Sequence, residues 1–153
     1  MQKTDAVIKP VREPKAVPSP PFLPPKTNPN GYTLVLDLDE TLVHFEAKEK
    51  KFKLRPGCLK FLKDVAAANS RCTPETGSPF DLNYEIVIFT AAAQDYADFI
   101  LNYIDKGRNY ISHRLYRQHC QYDDGVYVKD LSMLGRDLKK TIIVDNIKDN
   151  FER

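Results

Sequence analysis

Cysteine is scarce in this chain, three residues in 153, and none of the three sits in a CxxC pair. Cys58, Cys72 and Cys120 have neither zinc-site spacing nor the even count of a disulfide framework. They read as reduced thiols of an intracellular protein. No activating base stands beside any of them in sequence, so none is a candidate nucleophile. The apolar neighbours of Cys58 and Cys120 mark both as small core residues. An excess of one charge is also missing: Lys and Arg total 23 against 21 Asp and Glu, a formal +2. That balance lacks the strongly basic footprint of direct nucleic-acid binding. The one basic run, Lys48 to Arg55, could attract an acidic partner or phosphorylated substrate, a solvated strand or loop being the simpler reading. No stretch of 18 apolar residues occurs, which excludes a transmembrane helix. The N-terminus lacks the apolar h-region of a secretory signal. Lys3, Lys9, Arg12 and Lys15 suit a transit peptide, whereas Asp5, Glu13 and the prolines weigh against one.

Proline is unevenly placed. Eight of the eleven prolines fall between Pro10 and Pro29, so residues 1–30 are expected to form a disordered, polyproline-like arm. Pro18 to Pro21 and Pro24-Pro25 offer a dock for a proline-reading partner, a plain tether being the simpler reading. The folded domain is expected over 31–153, about 120 residues, enough for one core.

From Gly31 the pattern changes. Thr33-Leu34-Val35-Leu36 is a short apolar run suited to a buried strand. Arg55-Pro56-Gly57 opens a helix with Leu59, Leu62, Val65 and Ala66 on one face. Asn69 to Asn83 reads as a long exposed loop. Tyr84 to Phe89, rich in β-branched and aromatic residues, is a second strand. Tyr96, Phe99, Ile100, Tyr103 and Ile104 then share one face of a second helix. Short strands are expected at Arg114 to Tyr116 and Val126 to Lys129, with Asp123-Asp124-Gly125 as a turn between them. Thr141 to Val144 is the last strand. Strands alternating with amphipathic helices give an α/β fold with a mainly parallel sheet.

Polar residues gather at the ends of these strands. Asp37 and Asp39 follow the first, Thr90 ends the second, and Asp145-Asn146 end the last. In open α/β sheets the ligand crevice lies outside the carboxyl ends of the strands, so three segments deliver oxygen groups to one edge. Asp37 and Asp39, at i and i+2, can face one side while Leu38 turns into the core. Two carboxylates so close stay ionised only beside a cation. Oxygen ligands imply a hard one, and Mg²⁺ fits when phosphate oxygens and waters complete its octahedron. A Ca²⁺ loop of the EF-hand type does not match, because Thr41 and Leu42 stand where it needs Asp or Asn and then Gly.

The segment LVLDLDETLVH, residues 34–44, resembles the first motif of haloacid-dehalogenase (HAD) phosphatases. The branch is that of the RNA polymerase C-terminal-domain small phosphatases, also called NLI-interacting-factor-like or Dullard-related. The similarity continues through RPGCLKFL, YEIVIFTAA, LYRQHC, VYVKDLSMLGRDL and IIVDN, in that order, over about residues 32–146. The resemblance implies a HAD-like Rossmannoid three-layer sandwich without a large cap. It implies a protein serine/threonine phosphatase with Mg²⁺ as cofactor and a phosphorylated protein as substrate. Asp37 would be the nucleophile, forming an aspartyl-phosphate, and Asp39 the acid and base. Asp37, the backbone carbonyl of Asp39, Asn146 and Asp145 (directly or through water) would hold the metal. Thr90 would donate to a phosphate oxygen, and Lys129 would neutralise charge on the phosphate and hold the nucleophile. Arg117 aligns with an arginine near the substrate, and a surface salt bridge is its competing reading. Thr41 would order the loop. The two-carboxylate scheme leaves His44 and His119 no task, so both read as structural.

Two departures from the family stand out. Phe45 to Lys53 is short and charged where the small phosphatases carry a longer insertion with an apolar pocket for a polymerase-tail peptide. The chain also stops at Arg153, where relatives continue with another strand and helix, so the expectation is a domain truncated at its C-terminus. The rival reading is a catalytically silent scaffold like the mitochondrial inner-membrane translocase subunit of the same fold. The complete set Asp37, Asp39, Thr90, Lys129 and Asp145 favours the enzyme. A nuclear or cytoplasmic location goes with that reading, a mitochondrial one with the rival.

Overall fold

The computed structural model describes Ala16 and residues 18–46, 48–49, 51–70 and 83–151, except the side chains of Asn69 and Ser70. The first fifteen residues of the expected arm, and most of the expected loop with Cys72, lie outside the described residues.

Among the described residues, four parallel strands make the central sheet: β1 (Tyr32–Leu36), β4 (Tyr84–Phe89), β5 (His113–Leu115) and β8 (Thr141–Val144), in the order β5-β4-β1-β8. Two hairpins leave it, β2–β3 (Val43–Glu46, Lys51–Leu54) and β6–β7 (Gln121–Asp123, Val126–Val128). The helices are α1 (Cys58–Ser70) and α2 (Gln94–Ile104). At the β6–β7 turn Asp124 and Gly125 both have positive φ, 46° and 82°, the geometry that a two-residue Asp-Gly hairpin turn requires.

Alternation along the strands builds two cores. Leu34, Leu36, Ile86 and Ile88 face α1 and α2, burying Leu62, Ala97, Ile100, Leu101 and Ile104. Val35, Val87 and Phe89 face the other way, onto Leu23, Leu115 and Leu134. Each fully buried aliphatic side chain contributes about 1.5–3 kcal/mol, which fixes strand register, since a slip of one residue would exchange the faces. The second outer layer is not helical in the usual sense. Among the described residues it consists of the segment around Leu23 and the 3₁₀ turn Leu131–Leu134.

That layer moves the expected domain boundary. Leu23 is 4% exposed, the Phe22 amide donates to the Met133 carbonyl at 2.9 Å, and Lys26 Nζ donates to the Gly31 carbonyl and the Thr33 hydroxyl. Gly135 sits in the left-handed region at φ 72°, where a Cβ would come within 2.7 Å of Pro21. Residues 21–26 are therefore anchored on the sheet and not a free tether. Proline richness reported backbone stiffness, while the apolar pair Phe22-Leu23 decided where the segment docks.

Helix α2 also needs a correction. Ala97, Ile100, Leu101 and Ile104 are buried, whereas Phe99 and Tyr103 stay about half exposed. Those two rings pack edge-on against Phe52 of the β2–β3 hairpin. One helix thus serves two neighbours, which a single apolar stripe did not reveal.

Candidate active site

The ladder brings the strand-end residues level. Leu36 pairs with Val144 and with Ile88, so Asp37 comes beside Asp145 on one flank and just short of Thr90 on the other. The Asp37 amide extends the ladder by donating to the Val144 carbonyl at 3.0 Å. Leu38 is fully buried, as the i, i+2 spacing of the carboxylates required. Beyond it the chain doubles back: the Glu40 amide donates to the Val43 carbonyl, and the Leu42 and Val43 amides donate to the Leu38 carbonyl. Glu40 takes a left-handed φ of 59° to make the turn, at a cost of order 1 kcal/mol or more. Arg55 braces it, Nε to the Thr41 carbonyl at 2.6 Å and Nη2 to the Glu40 carbonyl at 2.8 Å.

Lys129 is the electrostatic centre. It follows β7, its side chain is fully buried, and Nζ donates to Asp37 Oδ1 at 2.7 Å and to Asp145 Oδ2 at 2.5 Å. A lysine buried like this needs such partners. Asp37 itself is only 6% exposed. Burial pushes its carboxyl above the ordinary range, against the opposing pull of the Lys129 ammonium. Burial likewise raises Asp39, partly offset by the hydrogen bond that the Tyr96 hydroxyl donates to its Oδ1 at 2.6 Å.

Thr90 is buried at the end of β4, and its hydroxyl oxygen accepts from the Ala92 amide at 3.0 Å. Its own proton can therefore be offered to a ligand. Among the described residues Arg117 does not form the surface salt bridge that was its competing reading. Nε donates to the Ala91 carbonyl at 2.7 Å, and the guanidinium lies 5.0 Å from the centre of the Tyr127 ring. That tethers it to the segment following Thr90 through a backbone bond and a cation–π contact, not a salt bridge.

The oxygens suit a hard cation. Asp37 Oδ2, not used by Lys129, and Asn146 Oδ1 lie 3.4 and 3.5 Å from the Thr41 hydroxyl. Those distances are too long for firm hydrogen bonds and bring the two acceptors to one place. Asp145 is differently engaged: Oδ2 meets Lys129 and Oδ1 accepts from the Ile147 amide at 2.9 Å. Among the described residues no three His, Cys, Asp or Glu side chains form a metal cluster. A cation here would rest on a mixed set of carboxylate, amide and backbone oxygen.

His44 pairs with exposed Glu40 at 2.7 Å. The Tyr116 amide donates to His119 Nδ1, and burial lowers the pKa of this histidine. Neither reaches the carboxylates through any contact among the described residues. Cys120 is held inert, its thiol pushed up to about 11 by burial. Two residues escaped the sequence reading. Tyr96 was counted as part of an apolar helix face, and Arg55 as part of a basic run. No local signal marked either contact, since each joins segments that only the fold brings together.

A sequence model of the family described as NLI interacting factor-like phosphatase matches residues 32–153. CTD small phosphatase-like protein 2 of Dictyostelium discoideum is 39% identical, over 94% of this chain and 26% of that protein. CTD small phosphatase-like protein 3 of Caenorhabditis elegans is 38% identical, over 86% and 47%. The mitochondrial import inner membrane translocase subunit TIM50 of Candida glabrata is 36% identical, over 88% and 26%. The chain thus spans between about a quarter and a half of the length of these relatives. Among solved structures, a form of the fission yeast RNA polymerase II CTD phosphatase Fcp1 bound to beryllium fluoride superposes with a TM-score of 0.55. The identity is 19%, over 79% of this chain and 38% of that one, a likeness of fold. No helix among the described residues is long and apolar enough to cross a membrane. With a family match running from β1 past β8, this chain belongs to the NLI interacting factor-like phosphatases.

Proposed function

We propose that the chain is a Mg²⁺-dependent phosphoprotein phosphatase working through an aspartyl-phosphate on Asp37. The observation that carries this is the buried Lys129 ammonium bridging Asp37 and Asp145. A cation fixed at that place is what a developing phosphoryl charge would need beside it. A carboxylate oxygen of Asp37 would attack phosphorus as the bond to the serine or threonine oxygen breaks. Asp39 would give its proton to that leaving oxygen, then take one from the water that cleaves the acyl phosphate. Burial raises Asp39, which suits a group that must start protonated.

The same burial works against Asp37 as a nucleophile, and Lys129 alone does not overcome it. A divalent cation would, by favouring the ionised form. Asp37 Oδ2, Asn146 Oδ1 and the Asp39 carbonyl are the oxygens we assign to Mg²⁺, with Asp145 reached through water. When bound, the cation would offset charge building on the phosphoryl group. Thr90 would donate to a phosphate oxygen, and Arg117 would extend the basic wall.

We take the substrate to be phosphoserine or phosphothreonine in a polypeptide. The site is flanked among the described residues by two short hairpins and not by a capping domain, and relatives carry the name CTD small phosphatase-like. A nuclear or cytoplasmic place goes with that proposal. The TIM50 relative favours a second reading, a mitochondrial binding protein of the same fold. One assay separates them. Wild-type protein should hydrolyse p-nitrophenyl phosphate with Mg²⁺, lose that activity in EDTA, and be blocked by beryllium fluoride, a mimic of the phosphoryl group on a carboxylate. Asp37→Asn should lose about 10³-fold or more, the scale of removing a nucleophile. Equal rates in Asp37→Asn and wild type would leave the binding-protein reading standing.

A further inference from the structure

We propose that Tyr96 is the positioning residue for Asp39, holding its carboxyl so that one defined oxygen faces the leaving group. This rests on the acid–base role assigned to Asp39 above. The Tyr96 hydroxyl, in the first turn of α2, donates to Asp39 Oδ1 at 2.6 Å. It is the hydrogen bond made by the Asp39 side chain among the described residues. The ring is fixed in turn by Phe45 of β2, whose edge meets it at 5.5 Å and 88°.

Tyr96 is not explained by packing alone. The buried side of α2 against the sheet is Ala97, Ile100, Leu101 and Ile104. Tyr96 stands beside that row with its hydroxyl on the site. Tyr116 offers a contrast. Its hydroxyl meets Asp98 at 2.6 Å, but Arg114 also holds Asp98 at 3.0 Å, a structural pair. Among the described residues Asp39 has no such cation bound to it.

The chemistry follows from which oxygen is tied. The terminal torsion of an aspartate is broad and nearly two-fold, so an unheld carboxyl offers either oxygen in many directions. A hydroxyl donating to Oδ1 can do so whether the carboxyl is neutral or ionised. In the neutral form it requires the proton to ride on Oδ2. In the ionised form it leaves Oδ2 free to accept a proton from water. One donor thus orients both halves of the cycle, and the β2–β3 hairpin, through Phe45, fixes that donor.

The test is Tyr96→Phe, which keeps the ring against Phe45, assayed on aryl phosphates from p-nitrophenyl to phenyl with Mg²⁺ present. Nitrophenolate leaves without needing a proton, whereas phenol, about as weak an acid as tyrosine at ~10, does need one. A general acid supplies about 10²–10⁴-fold, and misplacing it should forfeit part of that. We expect kcat/KM to fall less than about threefold on p-nitrophenyl phosphate and about tenfold or more on phenyl phosphate. The dependence on leaving-group acidity would steepen while the melting temperature stays unchanged. An equal loss across the series would assign Tyr96 a purely structural role and overturn the inference, as would no loss at all. Wild-type protein inactive on every aryl phosphate would sink the phosphatase reading and this inference together. Wild-type activity with an unchanged slope in Tyr96→Phe sinks this inference alone.

Discussion

Replacing Lys129 with methionine removes one charge and almost no volume, so its effect reports the electrostatics of the site. The lysine side chain is fully buried and so is that of Asp145, while Asp37 keeps 8% of its side chain exposed. In the variant two carboxylates face each other without a counter-charge. Removing one partner from a buried ion pair costs about 3–5 kcal/mol, and methionine retains most of the apolar stem. For a domain of this size that is a fall of roughly 10–20 °C in melting temperature. Mg²⁺ should recover part of the loss, because the proposed site would hold it against the same carboxylates, and it should raise the variant more than the wild type. Lowering the pH should also narrow the gap. Lys129 holds Asp37 down against burial, so without it the carboxyl protonates sooner and sheds the repulsion. Turnover should drop about 10²–10³-fold, the usual cost of one charge-stabilising group. Thermal melts in EDTA and in Mg²⁺, across pH, read all of this. A variant melting within about 2 °C of wild type in EDTA, roughly 0.5 kcal/mol, would refute the reasoning.

The remaining predictions concern the scaffold. Leu23→Ala should lose about 2–4 kcal/mol in a urea titration, since Leu23 is buried among Val35, Val87 and Phe89; a change below ~0.5 kcal/mol would return residues 21–26 to a tether. Glu85 is pushed up by burial, but Arg136, holding both its oxygens at 2.7 Å, and His113 outweigh that and keep it low. Its folded pKa lies below the ordinary 4.5, so its stabilisation is full above that value and vanishes as pH falls through the folded one. Glu85→Gln should therefore melt lower than wild type at pH 7 and converge with it well below pH 4.5; a gap independent of pH would contradict the assignment.

The strands of the central sheet were legible because their signal is local. Thr33 to Leu36 and Tyr84 to Phe89 are short apolar runs bounded by polar residues, and each has both faces buried or half-buried. Asp37, Thr90 and Asp145 were legible for the same reason: a parallel strand that ends in a polar residue points it at a known edge. Helix α2 was read as one stripe because periodicity counts apolar positions without saying what lies opposite. Phe99 and Tyr103 meet a hairpin that only the folded chain supplies. Arg117 kept two readings open in sequence, and the ring of Tyr127, ten residues on, took the place of the salt bridge.

By itself the sequence determined the α/β class, the strand ends that carry the candidate site residues and the pairing of carboxylates two residues apart. Each of these is fixed by alternation and spacing within a few residues. Tertiary structure alone decided that Leu23 belongs to the core, that Arg55 braces the turn after Asp37, and that Tyr96 reaches Asp39 across 57 positions. Those contacts join segments far apart in the chain, and no local preference encodes which distant surface a side chain will meet once the cores have closed.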